Sequence, residues 1–122
     1  MTPSITQTRI KLTLPVWTLA YELGYEPQTT FWQDFSIADK FGIPAIFDTF
    51  KRAFKEWKHN HVFLTELVMV LNHKISQHYV MNGTSAQNAV AKLYNDLYEV
   101  TATYAEEHLT GDELQYYYRV TD

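Results

Sequence analysis

Cysteine is absent from the 122 residues of this chain, and glycine and proline occur only four times each. Without cysteine there can be no disulfide framework, no thiol nucleophile and no cysteine-ligated zinc. The N-terminus, MTPSITQTRIKLTLP, lacks the apolar centre of a signal peptide. No stretch reaches the roughly 20 apolar residues that span a bilayer. We therefore predict a cytoplasmic protein that does not enter a membrane.

Motifs of catalysis and cofactor binding are also missing. None of the serines stands in a G-x-S-x-G context, and every glycine lies where a helix is predicted to end rather than in a phosphate-binding loop. The paired acids near the C-terminus have the surroundings of exposed carboxylates, which are weak acid–base catalysts. We therefore predict a protein that is not an enzyme and holds no cofactor.

The composition is that of a folded protein. Hydrophobic residues make up 46% of the chain, charged residues make up 20%, and the net charge is -4. A chain of this length fits one domain and can bury a hydrophobic core. We predict a single, mainly α domain over residues 1–122: a compact bundle of three longer helices with several short ones.

Short elements are predicted before the first long helix. Residues 4–14 alternate between apolar and polar side chains, so residues 1–14 are predicted to form a short strand or an extended arm. A short helix is predicted at 15–23, followed by a loop at 24–33. A further short helix begins after a Ser36 cap and stops at Gly42.

Three segments carry the pattern of longer helices. Along the first, which Pro44 begins, one face is apolar. The second, residues 62–80, is apolar around most of its circumference and is predicted to be central. The third, residues 86–109, follows a Ser85 cap and repeats apolar residues at steps of three and four. A short final helix, ELQYYYR at 113–119, follows Asp112. The predicted inner positions of the first and third are Ile43, Phe47, Phe50, Phe54 and Trp57, and Ala86, Val90, Leu93, Leu97, Val100 and Tyr104.

Acidic residues are concentrated at the C-terminal end. Residues 93–122 hold seven acids and one arginine, a net charge of -6, and include three consecutive tyrosines. Three consecutive residues of a helix cannot all face one core, so at least one tyrosine is predicted to be exposed. Tyrosine is favoured at interfaces. The leading hypothesis is a non-catalytic protein-binding module whose partner-binding residues are Tyr116, Tyr117, Tyr118, Glu106, Glu107 and Glu113.

Basic residues are concentrated on the first long helix. Residues 40–58 hold five basic and two acidic side chains, a net charge of +3. The alternative hypothesis is a nucleic-acid-binding protein that uses Lys51, Arg52, Lys55 and Lys58 of the basic helix 44–58. The preceding segment, 37–43, resembles the first helix and turn of a helix-turn-helix, but a recognition helix should be apolar where Asp48 and Lys51 stand. Each charged segment can equally be a solvated face, or the two can neutralise each other within the fold.

A metal site has one candidate pair. Glu66 and His73 lie two helical turns apart and share a face, whereas His73 and His78 lie about 140° apart around a helix. The chain contains no H-E-x-x-H motif. A metal-dependent enzyme on Glu66 and His73 is the third hypothesis, and we predict no metal site.

A homodimer is one predicted assembly state. The central helix is so apolar that three long helices would leave part of it uncovered. Pairing through residues 86–109 or through the last helix would cover that surface.

Four segments carry a resemblance: FWQDF at 31–35, RAFKEWK at 52–58, TELVMVLNHKI at 65–75 and ELQYYYRVTD at 113–122. Over most of the chain from residue 31 the sequence resembles a group of small uncharacterised helical proteins of gut and other Gram-positive bacteria, often carried by phages or mobile elements. The resemblance implies no known activity. Small proteins of such elements often bind and occlude a host machine, and anti-CRISPR inhibitors are one analogy.

Overall fold

The computed structural model describes residues 29–122, and all regular structure in that range is helical. This confirms the predicted mainly α bundle with three longer helices. The predicted N-terminal strand and the helix at 15–23 lie outside the described residues. No helix in the described part of the chain combines the length and apolarity needed to cross a membrane. The five helices are α1 (Phe31–Phe41), α2 (Ile43–Trp57), α3 (His61–His78), α4 (Ala89–His108) and α5 (Gly111–Thr121).

Helix α3 is the centre of the bundle, as its apolar sequence predicts. It packs against all four other helices, and ten of its residues are buried. Its first turn is fixed by Asn60, whose side chain accepts hydrogen bonds from the backbone N–H groups of Val62 and Phe63. Because α1, α2, α4 and α5 all pack against α3, its apolar surface does not by itself require a second copy of the chain, and the homodimer stays a prediction.

Helix α1 begins six residues earlier than predicted, so residues 31–33 are helix rather than loop. Phe31 and Phe35 lie one turn apart and are both buried against α3, which favours helix from residue 31 onward. The Thr30 hydroxyl donates to the Asp34 carboxylate at 2.6 Å across the first turn. Ser36 is therefore an exposed mid-helix residue and does not cap the helix.

A single residue, Gly42, joins α1 to α2. Its φ of 102° and ψ of -172° lie in a region open only to glycine, which allows the two helices to follow each other directly. Pro44 stands in the first turn of α2, where its missing N–H costs no hydrogen bond.

The inner face of α2 is turned relative to the predicted stripe. Phe50, Phe54 and Trp57 pack inward as predicted, but Ile43 and Phe47 are 41% and 43% exposed. The small side chains of Ala45, Thr49 and Ala53 pack inward instead, beside the fully buried Ile46. Small residues let α1 approach closely, and the helix is therefore rotated so that Ile43 and Phe47 are exposed to solvent.

Helix α4 begins later than predicted, but most of its predicted inner positions are confirmed: Leu97 is buried, and Val90, Leu93 and Tyr104 pack against the core. Thr84 and Gln87 exchange hydrogen bonds between side chain and backbone, a reciprocal cap that holds a turn before Ala89. Neither Ser85 nor Ala86 is part of the helix, and Val100 is 53% exposed rather than buried. The fully buried side chains of α4 are Ala91, Tyr94, Leu97, Thr101 and Ala105.

Helix α5 is longer at both ends than the predicted 113–119, and Asp112 lies in its first turn rather than at its cap. Tyr116, Tyr117 and Val120 are buried, whereas Tyr118 is 40% exposed. The structure confirms that three consecutive tyrosines cannot all enter one core.

One carboxylate connects three helices inside the bundle. Asp39 of α1 accepts hydrogen bonds from Lys74 Nζ of α3 at 2.7 Å and from the Tyr94 hydroxyl of α4, and His78 Nε2 lies 3.1 Å from the same carboxylate. Lys74 is only 2% exposed and also donates to Ser36 Oγ at 3.3 Å. Burial alone raises the pKa of Asp39, but its interactions with Lys74, Tyr94 and His78 outweigh this effect and hold that pKa below its ordinary value.

We predict that Asp39→Asn lowers the free energy of unfolding by about 3–5 kcal/mol, because it leaves the buried Lys74 ammonium without a counter-charge. Urea denaturation of Asp39→Asn, Lys74→Met and the double variant measures this. The double variant should be about 1–3 kcal/mol more stable than the sum of the two single changes indicates.

The exposed pair Lys92 and Asp96, whose side chains are 75% and 54% exposed, provides the control. Asp96→Asn should change the stability by less than about 1 kcal/mol. Equal effects of Asp39→Asn and Asp96→Asn would show that the buried network does not hold the helices together.

Candidate binding surface

An open apolar groove lies between α2 and α4. Phe54 of α2 and Tyr104 of α4 meet edge to face at its floor, with ring centroids 5.2 Å apart. Val100, the exposed apolar residue of α4, forms part of its wall. The groove has a volume of about 480 Å³, and the carboxylate-bearing residues Glu99 and Glu107 line it on the α4 side.

One lysine of α2 lies directly beside this groove. Lys58 Nζ lies 5.6 Å from the ring centroid of Phe54 and 5.7 Å from that of Tyr104, within the range of a cation–π contact. Lys51 and Lys55 follow on the same outward side of α2, since residues three and four apart share a helix face. We call Lys51, Lys55 and Lys58 the lysine stripe.

Arg52 lies beside the lysine stripe and also faces α1. It is turned about 100° from Lys51 around the helix. It lines a pocket of about 340 Å³ with Asp34 and Asp48, on the side of α2 that faces α1. A second pocket is lined by Asp48, Lys51 and Arg52 together. Three of the four basic residues predicted from the sequence therefore form the lysine stripe, and Arg52 adjoins it at Lys51.

Carboxylates cover the outer face of α4. Asp96 accepts from Lys92 Nζ at 3.2 Å, one turn away. Glu99, Glu106 and Glu107 are exposed, and none of them forms an ion pair within residues 29–122. We call these three residues the acidic face. No ion pair within the described range connects it to the lysine stripe, although the two flank one groove.

The structure separates the three tyrosines of the predicted surface. Tyr116 and Tyr117 are 5% and 4% exposed, so in the folded chain they pack in the core and do not form part of the exposed surface predicted for them. The Tyr118 hydroxyl donates to Glu106 Oε2 at 3.4 Å. Partial desolvation and the nearby carboxylates of Glu106 and Asp122 raise the pKa of Tyr118. Tyr118 and Glu106 therefore form one continuous edge of the acidic face.

Glu113 belongs to a different part of the surface. Its carboxylate lies 3.4 Å from His61 Nδ1 at the start of α3. It is five residues from Tyr118 on α5, which corresponds to about 140° around the helix. The surface that the sequence predicted thus divides into Glu106 with Tyr118, Glu107 in the groove, and Glu113 apart.

Glu66 and His73 do not form a site together. Glu66 is 2% exposed inside the bundle, whereas His73 is exposed and its ring lies 5.4 Å from that of Trp32. Across residues 29–122 no three His, Asp or Glu side chains converge as metal ligands. Burial raises the pKa of Glu66 from 4.5 to about 7, and a hydrogen bond with Thr29 only partly opposes this effect.

We predict that Glu66 makes the stability fall as the pH rises. A carboxyl whose pKa is raised by folding binds its proton more tightly in the folded state, so its stabilisation is complete below pH 4.5 and is lost as the pH passes 7. Relative to Glu66→Gln, the wild-type chain should lose about 2–3 kcal/mol between pH 5 and pH 9. Urea denaturation at several pH values measures the difference, with Glu56→Gln as the exposed control. Parallel stability curves for the wild type and Glu66→Gln would contradict the buried carboxyl.

No protein-family model, curated protein or solved structure matches this chain.

Proposed function

We propose that the chain is a non-catalytic protein-binding module that binds its partner through the acidic face of α4. The observation that supports this most strongly is that Glu99, Glu106 and Glu107 are exposed on one helix without a basic partner in the described chain. The basic groups that could neutralise them are instead held apart on α2. Unpaired carboxylates on a rigid helix attract a positively charged protein surface and orient it during association.

The neighbouring groups narrow the chemistry of the partner. Tyr118 adds an aromatic ring with a hydroxyl at one edge of the acidic face, and Val100 adds an exposed aliphatic side chain near its middle. A matching partner carries lysine or arginine side chains around a small apolar projection. Such a module acts in stoichiometric amounts, by occluding the surface to which it binds. Occlusion of a host machine is the mode that the resemblance to proteins of mobile elements suggests.

The buried titratable side chains support a non-catalytic function, because they contact one another or the core. Asp39, Lys74 and Tyr94 satisfy one another inside the bundle, and Glu66 is enclosed in the core. Groups committed to internal hydrogen bonds stabilise the fold rather than bind a substrate. The exposed carboxylates of α4 are suited to recognition by charge.

We predict that Glu106→Arg combined with Tyr118→Ala weakens capture of the partner at least tenfold without altering the fold. Loss of a tyrosine contact and reversal of a rim charge together remove about 1.4 kcal/mol or more of binding free energy. The measurement starts with capture from host extract after nuclease treatment and continues with a titration of the purified partner. Circular dichroism and thermal melting of the variant verify the fold.

Glu56→Arg combined with Phe41→Ala is the matched control, because both residues are exposed and lie on other helices. It should bind as tightly as the wild type. Unchanged affinity of the Glu106→Arg, Tyr118→Ala variant would contradict the acidic face as the binding surface. Equal losses of affinity in this variant and in the control would also contradict the acidic face as the binding surface.

A second candidate function is nucleic-acid binding by the lysine stripe. The observation in its favour is that Lys51, Lys55 and Lys58 share one exposed face and point away from the core. Binding of this kind weakens steeply with salt, by about 0.9 log unit in the binding constant per log unit of salt for each phosphate neutralised. A mobility-shift titration at several salt concentrations tests it. A flat response, or no shift at low salt, would exclude it.

A further inference from the structure

We infer that the groove between α2 and α4 is a self-association surface whose occupant is a second copy of this chain. The surface carries both charges needed to recognise itself: Lys58 lies over the rings of Phe54 and Tyr104, with Lys55 on the same helix face, and Glu99 and Glu107 line the groove on the α4 side. Apolar groups of Phe54, Val100 and Tyr104 line the groove beside these charges.

Opposite charges lie near the groove without forming ion pairs with each other. Lys58 lies over the aromatic floor rather than in an ion pair, and neither Glu99 nor Glu107 is paired in the described chain. The chain therefore carries complementary charges side by side without joining them. A partner that faces this groove meets a cationic edge, an apolar centre and an anionic edge.

Symmetry then determines which partner fits. A twofold axis that runs along the groove places the lysine stripe of each copy over the carboxylates of the other, so every favourable contact occurs twice. An axis across the groove would place lysine over lysine. The same operation covers Val100 of each copy with the other copy and removes that half-exposed side chain from water.

This inference goes beyond the proposed function and does not depend on it. Glu106 and Tyr118 do not line the groove, whereas Glu99, Glu107 and Val100 belong both to the groove and to the proposed partner surface. A dimer through the groove therefore leaves both copies of the edge formed by Glu106 and Tyr118 accessible. Such a dimer presents two identical acidic edges, which increases avidity for a partner with repeated or paired binding sites.

Charge reversal tests the self-association directly. Sedimentation velocity of the full chain at increasing concentration should show a monomer–dimer equilibrium that weakens when salt is raised. Lys55→Glu with Lys58→Glu, and separately Glu99→Lys with Glu107→Lys, should each weaken the dimer about tenfold or more, since both place like charges face to face. Lys40→Glu and Glu56→Lys are the matched controls, and both should dimerise normally.

The decisive experiment mixes the two charge-reversed variants. The mixture should form a heterodimer, because both sets of charge contacts across its interface then join opposite charges. A monomer at every concentration at low salt, a dimer unaffected by either reversal, or a mixture that fails to associate would each overturn the inference. Partner capture that survives in the lysine-reversed variant separates the two proposals: it leaves the binding module intact even where self-association fails.

Discussion

The Asp39 carboxylate is the contact on which the arrangement of the bundle depends. It receives hydrogen bonds from Lys74 on α3 and from Tyr94 on α4 and lies 3.1 Å from His78 Nε2, while its own backbone belongs to α1. The lysine ammonium is almost fully buried and needs a counter-charge, since an unpaired charge in a protein interior costs several kcal/mol. This requirement positions α1 against α3 and α4 more specifically than apolar contacts alone can, because the carboxylate accepts its hydrogen bonds only in a narrow range of geometries.

The position of α1 in turn sets the charged surface. Gly42 allows α2 to follow α1 with only one residue between them, so the orientation of α2 is coupled to that of α1. Helix α2 then meets α4 through Phe54 and Tyr104. The consequence is a surface on which Lys58 lies beside a groove lined by Glu99 and Glu107, and no ion pair joins Lys58 to either carboxylate within the described residues. The buried Lys74 ammonium, in contrast, is neutralised by Asp39 inside the bundle.

The sequence predicted the helices better than their rotation. The continuous apolar character of residues 62–78 identified the central helix, and the spacing of Phe50, Phe54 and Trp57 identified the inner side of α2. The same reasoning placed Phe47 and Val100 inward, and both are exposed. Apolar periodicity gives the side of a helix on average, whereas its final rotation depends on where small residues such as Ala91 and Ala105 allow close packing.

The sequence also contained a signal for the buried network that periodicity alone does not use. Lys74 is the one lysine in the most apolar helix, and it stands one turn beyond Val70 and Leu71, on the inner side. A lysine at such a position requires an acid on a facing helix, but a pattern along one helix cannot say which acid. The groove was also beyond prediction, because it depends on the contact between Phe54 and Tyr104, residues distant in sequence.

Carboxyl footprinting tests the central claim most directly. Carbodiimide coupling of an amine modifies accessible carboxylates, and mass spectrometry then reports the modified residue in the free chain and in the complex with its captured partner. The account predicts that Glu106 and Glu107 are modified in the free chain and protected in the complex, while Glu56 is modified equally in both. Protection of Glu56 with continued modification of Glu106 and Glu107 would contradict the acidic face of α4 as the binding surface.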